Sequence, residues 1–140
     1  MDGCIFCSIV DGDLPSHRVY EDEETCAFLD ANPLARGHTL VIPTSHHERV
    51  NDMPADVAGA VGRTVAAVAP AVEAAVDAPA STIAYNNGRA AGQEVPHVHA
   101  HIVPRFADDG AGPVHALFGG PGQADDEELA AVAEDVADHL

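Results

Sequence analysis

The sequence predicts an α+β fold: a largely antiparallel sheet, one long helix, and a second helix at the C-terminus. Three observations carry this. Short β-like runs follow one another, separated by turn residues. Val57, Val61, Val65, Val68, Val72 and Val76 recur at steps of three and four, which is one helical face. From His97 to His101, imidazoles alternate with the small apolar residues Val98 and Ala100, a period of two.

Taken in order, the first β-like runs lie around His17–Glu21 and Thr25–Asp30, joined by the acidic turn Asp22-Glu23-Glu24. His38–Pro43 forms the next, after the turn residues Asn32-Pro33 and Arg36-Gly37. The valine-striped helix follows, with Pro54 suited to its first turn. Pro70 interrupts the pattern and is expected to kink or split the helix. Ser81–Asn86 reads as a strand closed by the turn Asn86-Asn87-Gly88, and Val95–Arg105 as the strand carrying the three histidines. Residues 105–124 are rich in Gly, Asp and Pro and read as an irregular loop. Gly119-Gly120-Pro121-Gly122 fits no phosphate-binding glycine pattern. Residues 125–140 read as the C-terminal helix, with acids in its first turn and Leu129, Val132, Ala133, Val136 and Leu140 as its apolar stripe. With 140 residues and no internal repeat, the chain is expected to be one domain over 1–140.

Composition narrows the function classes. There are 23 acidic residues against 6 basic ones, all arginine, for a formal net charge of −17. Such a surface repels polyanions, so a nucleic-acid polymer is not an expected partner. It resembles the lysine-poor acidic composition of salt-in halophile proteins, in which concentrated salt screens self-repulsion. A surface made for a basic partner is the alternative. No run of 18 apolar residues occurs, and Met1-Asp2-Gly3-Cys4 does not read as a signal peptide. The expectation is a cytoplasmic protein with no membrane partner.

The chemistry concentrates in two places. Three histidines on one strand face suit a metal ion or a phosphoryl group. Zinc accepts His-x-His ligands readily, and a neutral imidazole is a competent nucleophile toward phosphorus. Cys4-Ile5-Phe6-Cys7 places two thiolates at a spacing that chelates one tetrahedral ion. Residue 4 leaves no room for the strand that a thioredoxin-like redox pair requires. The pair needs two further ligands, for which His46 and His97 are candidates and His47 an adjacent rival to His46. Cys26, within an apolar run, reads as a core residue.

In combination these features resemble the histidine triad (HIT) family, and within it the Hint branch of nucleotide-binding phosphoramidases. The resemblance runs through Cys4-Ile5-Phe6-Cys7-Ser8-Ile9-Val10, Val19-Tyr20-Glu21-Asp22 and Ala27-Phe28-Leu29-Asp30. It continues through Gly37–Pro43, Asn86-Asn87-Gly88 and Gly92–Pro96, and ends on His-x-His-x-His with Ile102-Val103-Pro104-Arg105. It implies a HIT-like homodimer, with the valine-striped helix at the dimer contact. The implied reaction is hydrolysis of nucleoside 5′-phosphoramidates of the AMP–amine type through a nucleotidyl-histidine.

The resemblance makes His99 the nucleophile and gives His101 a hydrogen bond to the phosphate or leaving group. His97 becomes a structural ligand, joining Cys4, Cys7 and His46 around one zinc per chain. The purine nucleotide site would comprise Ile5, Phe6, Ile9, Phe28, Leu29 and Leu40 around the base and Asp30 on the ribose. Asn86, Gln93, Glu94 and Val95 would lie on the phosphate side with His99 and His101. Glu94 stands where relatives often carry Ser or Thr, so only its backbone N–H is carried over. His38 would support the triad from behind. Three rival readings are a dinucleoside polyphosphate hydrolase, a nucleotide-binding regulator with little turnover, and a metalloenzyme using all three histidines. Uridylyltransferases resemble this motif but carry Gln at the position of His101.

Overall fold

A computed structural model describes residues 3–140. The described residues fall into two compact units, one ending at Asp109 and the other spanning Gly110–Leu140.

The first unit is a five-stranded sheet with helices against it. A short helix, α1 (Ile5–Val10), leads to β1 (Arg18–Glu21), β2 (Thr25–Leu29) and β3 (Thr39–Pro43). The long helix α2 (Ala55–Val76) precedes β4 (Ala80–Tyr85) and β5 (Ala100–Arg105). The sheet order is β1-β2-β3-β5-β4, and every neighbouring pair is antiparallel. The α+β expectation is met.

Alternation along the central strands divides the core into two layers. Cys26, Phe28, Leu40 and Ile42 pack with Phe6, Cys7 and Ile9 of α1. Ala27, Val41, Ala100 and Ile102 pack with Val61, Val68, Ala69 and Val72 of α2. Leu40 pairs with His101 across β3 and β5, so His101 shares the face of α1. Cys26 is a buried core residue, as its neighbours imply.

The long helix differs from expectation in one way. It runs through Pro70 without splitting. Pro70 and Ala66 are both exposed, so the carbonyl that loses its N–H partner faces water rather than the core. On the stripe itself, Val61, Val68 and Val72 pack against the sheet. The helix is long and apolar enough to cross a membrane by length and composition, but this buried stripe makes it a core helix. Gly37 sets the spacing at its far end. A Cβ there would lie 2.8 Å from Val76 Cγ1, and its φ of 92° disfavours any side chain.

The triplet strand is shorter than expected. β5 begins at Ala100, not Val95. The His97 N–H bonds back to the Val95 carbonyl at 2.8 Å, and the Val98 N–H bonds to the His47 carbonyl at 2.7 Å. Those bonds, one local and one to a distant loop, replace a sheet ladder, so His97 and His99 sit on an ordered loop ahead of the strand.

In the second unit, a 3-10 turn (Val114–Phe118) breaks the expected irregular stretch, and α3 spans Asp126–Asp138. The Asp125 carboxylate caps α3 by accepting from the Glu128 N–H at 2.8 Å. The expected stripe is there in residue type, but Leu129, Val132 and Val136 are more than half exposed.

Candidate active site

A cleft of about 950 Å³ opens on the α1 face of the sheet. Its walls come from α1 and the connection after it, the end of β2 with the turn after it, Leu40 of β3, the loop around residues 86–95, and the histidine segment. Ile5, Phe6, Ile9, Phe28, Leu29, Asp30, Leu40, Asn86, Glu94, Val95, His99 and His101 all line it. Sequence reasoning had placed each of these at the site.

Gln93 is the exception. Its Oε1 accepts from the Gly88 N–H at 2.8 Å, and its Nε2 donates to the Glu48 and Val95 carbonyls at 2.6 and 2.9 Å. These three bonds brace the loop, so Gln93 shapes the cleft without lining it. Asn87 acts similarly, bonding the Val50 N–H and the Asn51 side chain. The cleft also takes Ser16, His17 and Gly92, which sequence reasoning missed. His17 begins an expected β-like run and Gly92 belongs to a family motif, but neither pattern shows that they reach the cleft, which only the fold does.

The apolar end is built by Phe6. Its ring meets Phe28 edge-on at 5.5 Å between centroids and meets His99 at 5.1 Å with an 84° interplanar angle. Asp30 closes the other side. Its Oδ1 accepts from the Asn32 N–H at 2.8 Å, and its Oδ2 lies 3.7 Å from His38 Nε2. One carboxylate oxygen holds the turn, while the other remains beside the cleft.

Backbone partners fix the histidine tautomers. His99 Nδ1 lies 2.8 Å from the His97 carbonyl, which can only accept. That nitrogen therefore carries the proton, and Nε2 keeps its lone pair. The chain to His101 has the opposite sense. The Leu34 N–H donates to His38 Nδ1 at 3.1 Å, so the proton of neutral His38 is on Nε2. His38 Nε2 lies 2.9 Å from His101 Nδ1 and donates to it. His101 then carries its proton on Nε2, a buried nitrogen with no partner among the described residues. Burial, with His99 and His38 beside it, pushes the His101 pKa down to about 4, and burial lowers that of His38 as well. The pair is neutral near pH 7. One imidazole presents a lone pair and its neighbour presents an N–H. Asp30, His38 and His101 also lie close enough together to hold a metal ion. The Leu34–His38–His101 chain already uses the Nδ1 lone pairs of both imidazoles.

His97 faces elsewhere. Its Nε2 donates to the Pro43 carbonyl at 2.9 Å, which leaves the Nδ1 lone pair directed at sulfur. Nδ1 lies 3.4 Å from Cys4 Sγ and 3.6 Å from Cys7 Sγ, and His46 Nδ1 lies 3.3 Å from Cys7 Sγ. Tetrahedral zinc with its usual bond lengths would hold S and N ligands about 3.6 Å apart. The four ligand atoms lie within 4.8 Å of one another. Two thiols and two imidazoles, three of the four residues buried, fit a structural zinc ion. Burial, and Cys4 beside it, raise the Cys7 thiol, a cost that a divalent cation would offset. Between the two adjacent histidines the structure chooses His46. His47 Nε2 instead lies 3.0 Å from Ser45 Oγ.

Comparison with known proteins agrees with this geometry. The HIT domain family model matches residues 11–108. An uncharacterized HIT-like protein of Methanocaldococcus jannaschii is 48% identical over 109 residues, covering 76% of this chain and 82% of that one. Adenylylsulfatase HINT3 of Arabidopsis thaliana is 38% identical over 106 residues, covering 76% of this chain and 54% of that protein. Among solved structures, a member of the HIT family from Bacillus subtilis superposes with a TM-score of 0.90 at 37% identity, covering 99% of this chain and 98% of the other. A Zn-bound histidine triad family protein from Mycobacterium smegmatis gives 0.75 at 37% identity, with coverage of 96% and 97%.

Proposed function

The chain belongs to the HIT domain family, and on that premise we propose that it is a Hint-like hydrolase of nucleoside 5′-phosphoramidates, acting through a nucleotidyl-histidine on His99. One observation carries the reading: the opposed polarity of the two neighbouring imidazoles, lone pair on His99 Nε2 and N–H on His101 Nε2. Attack on a phosphoryl centre needs both, a nucleophile and a donor to the oxygen on which charge develops.

In the first step His99 Nε2 bonds to the α-phosphorus and the P–N bond to the amine breaks. The amine nitrogen leaves with that electron pair and takes a proton from solvent. His101 Nε2–H holds a phosphoryl oxygen throughout. In the second step water bonds to phosphorus, the P–Nε2 bond returns its electron pair to His99, and the water proton passes to solvent. One water is consumed overall. The His97 carbonyl serves both steps by keeping the His99 proton on Nδ1. Phe6, Phe28 and Leu40 would take the base, and Asp30 would accept from the ribose hydroxyls.

Cys4, Cys7, His46 and His97 would hold one structural zinc, which stiffens the segment leading into His99 when bound. The name of the HINT3 relative, an adenylylsulfatase, favours a hydrolase over a regulator with little turnover. We also propose a homodimer with α2 at the contact.

The test is a rapid quench with a nucleoside phosphoramidate labelled at phosphorus, followed by peptide mapping. Label on His99 is expected, together with loss of turnover and retained nucleotide binding in His99→Ala. Label on another residue, or full activity in His99→Ala, overturns the mechanism.

A further inference from the structure

The chain has six arginines among 23 acidic residues, so a free guanidinium is unexpected. Arg18, Arg63 and Arg105 pair with Glu21, Glu24 and Asp109. Among the described residues Arg36, Arg49 and Arg89 have no ion pair and no side-chain hydrogen bond to an acceptor, and of these Arg49 and Arg89 line one cavity of about 920 Å³. That cavity shares Gly92 and Glu94 with the active-site cleft, so the two adjoin at the loop around residues 86–95. Arg49 also lines a narrow recess with His99 and Asn86.

Arg49 is placed rather than loose. Its Cζ and Nη2 lie 3.2 and 3.3 Å from where a Gly88 Cβ would stand, so the guanidinium rests on the glycine of the loop after β4. The cleft itself has no arginine in its wall. A substrate carrying a second negative charge would meet no guanidinium at the phosphorus, and its cations only in the adjoining cavity. Glu48 and Glu94 line that cavity too. Two arginines against two glutamates disfavour a polyanion and suit a leaving group with a single anionic end.

We propose that the cavity holding Arg49 and Arg89 is the leaving-group subsite, and that it selects leaving groups bearing one anionic group, such as the carboxylate of an amino acid joined to phosphorus through its amine. A guanidinium fork matches a carboxylate by paired, charge-assisted hydrogen bonds. This rests on the proposed reaction at His99 and adds the class of leaving group.

Adenosine 5′-phosphoramidates of glycine and of glycinamide provide the test, because they differ by one charge and hardly in shape. The wild-type kcat/KM ratio, glycine over glycinamide, is expected to be roughly tenfold, the low end for a hydrogen bond to a charged group. In R49Q/R89Q that ratio should fall to about one. In wild-type protein the ratio should also fall as salt is added, which tests the charge without any variant. Adenosine 5′-phosphosulfate separates the sources of the anion. A loss for it as well in R49Q/R89Q assigns the subsite to oxyanions generally, and a loss confined to the glycine adduct assigns it to carboxylates. Brisk hydrolysis of both phosphoramidates with a wild-type ratio near one, or a ratio unmoved in R49Q/R89Q, overturns the subsite and leaves the reaction intact. Absence of turnover on every substrate overturns the reaction and the subsite with it.

Discussion

His38 is placed to act only through His101, and that makes a sharp prediction. Its Nε2–H fixes His101 Nδ1 as an acceptor and so keeps the His101 proton on Nε2. His38→Ala removes that bond without touching the reacting atoms. A neutral hydrogen bond contributes about 0.5–1.5 kcal/mol net, and 1.4 kcal/mol is about a factor of ten in a population. The bias toward the productive tautomer, and with it kcat, should therefore fall by at most about tenfold. His101→Ala removes the donor itself and should cost on the order of 10²–10³ in kcat. The double variant should be no slower than His101→Ala, because His38 then has nothing left to orient. His38→Gln should recover part of the loss, since its amide N–H can reach toward His101. Any disturbance of Asp30, whose Oδ2 lies 3.7 Å from His38, would appear in KM rather than kcat. The assays are steady-state kinetics on a phosphoramidate and ¹⁵N spectra of the His101 ring, which should shift from one tautomer to a mixture in His38→Ala. Multiplicative losses in the double variant, or a wild-type His101 protonated on Nδ1, would refute the argument.

Other outcomes follow from the same structure. His101 has a native pKa near 4 against 6.5 for a free imidazole, so between those values the unfolded chain binds more protons. Its contribution to stability is complete above about pH 6.5 and is lost as pH falls toward 4. The amount is on the order of 3 kcal/mol at most, less what neighbouring Asp30 and water offset. Urea unfolding from pH 7.5 to 5 should therefore show a steeper loss in wild type than in His101→Gln, and parallel curves would contradict it. Purified protein should contain about one zinc per chain by elemental analysis. Cys7→Ala and His46→Ala should lose the metal, while His47→Ala should retain it. With a net charge of −17, the thermal midpoint should rise from dilute into molar potassium chloride as repulsion is screened. A flat or falling midpoint would point instead to an acidic surface made for a basic partner.

Much of this molecule is settled by local sequence. Alternation in Cys26–Phe28 and Leu40–Ile42, and the three-four spacing of the valines, determine strands, a helix and the faces they bury. Covalent order suffices there, because side-chain direction follows from a period of two or 3.6. The Cys-x-x-Cys pair likewise announces half of a tetrahedral ligand set. What the alternation by itself could not decide, and only the family resemblance supplied, is which way each histidine points. His97, His99 and His101 look equivalent as a triplet, yet a loop bond from Val98 to His47 ends the strand at Ala100 and sends His97 toward the cysteines. The choice of His46 over His47 depends on that same loop. So does the role of Gln93, whose polar atoms are spent on carbonyls and an amide distant in sequence or hidden in a turn. The division of labour between His99 and His101 comes last. It is decided by the His97 carbonyl and the Leu34 N–H, main-chain groups present at every residue and therefore invisible as sequence. Only the folded chain places one against each ring.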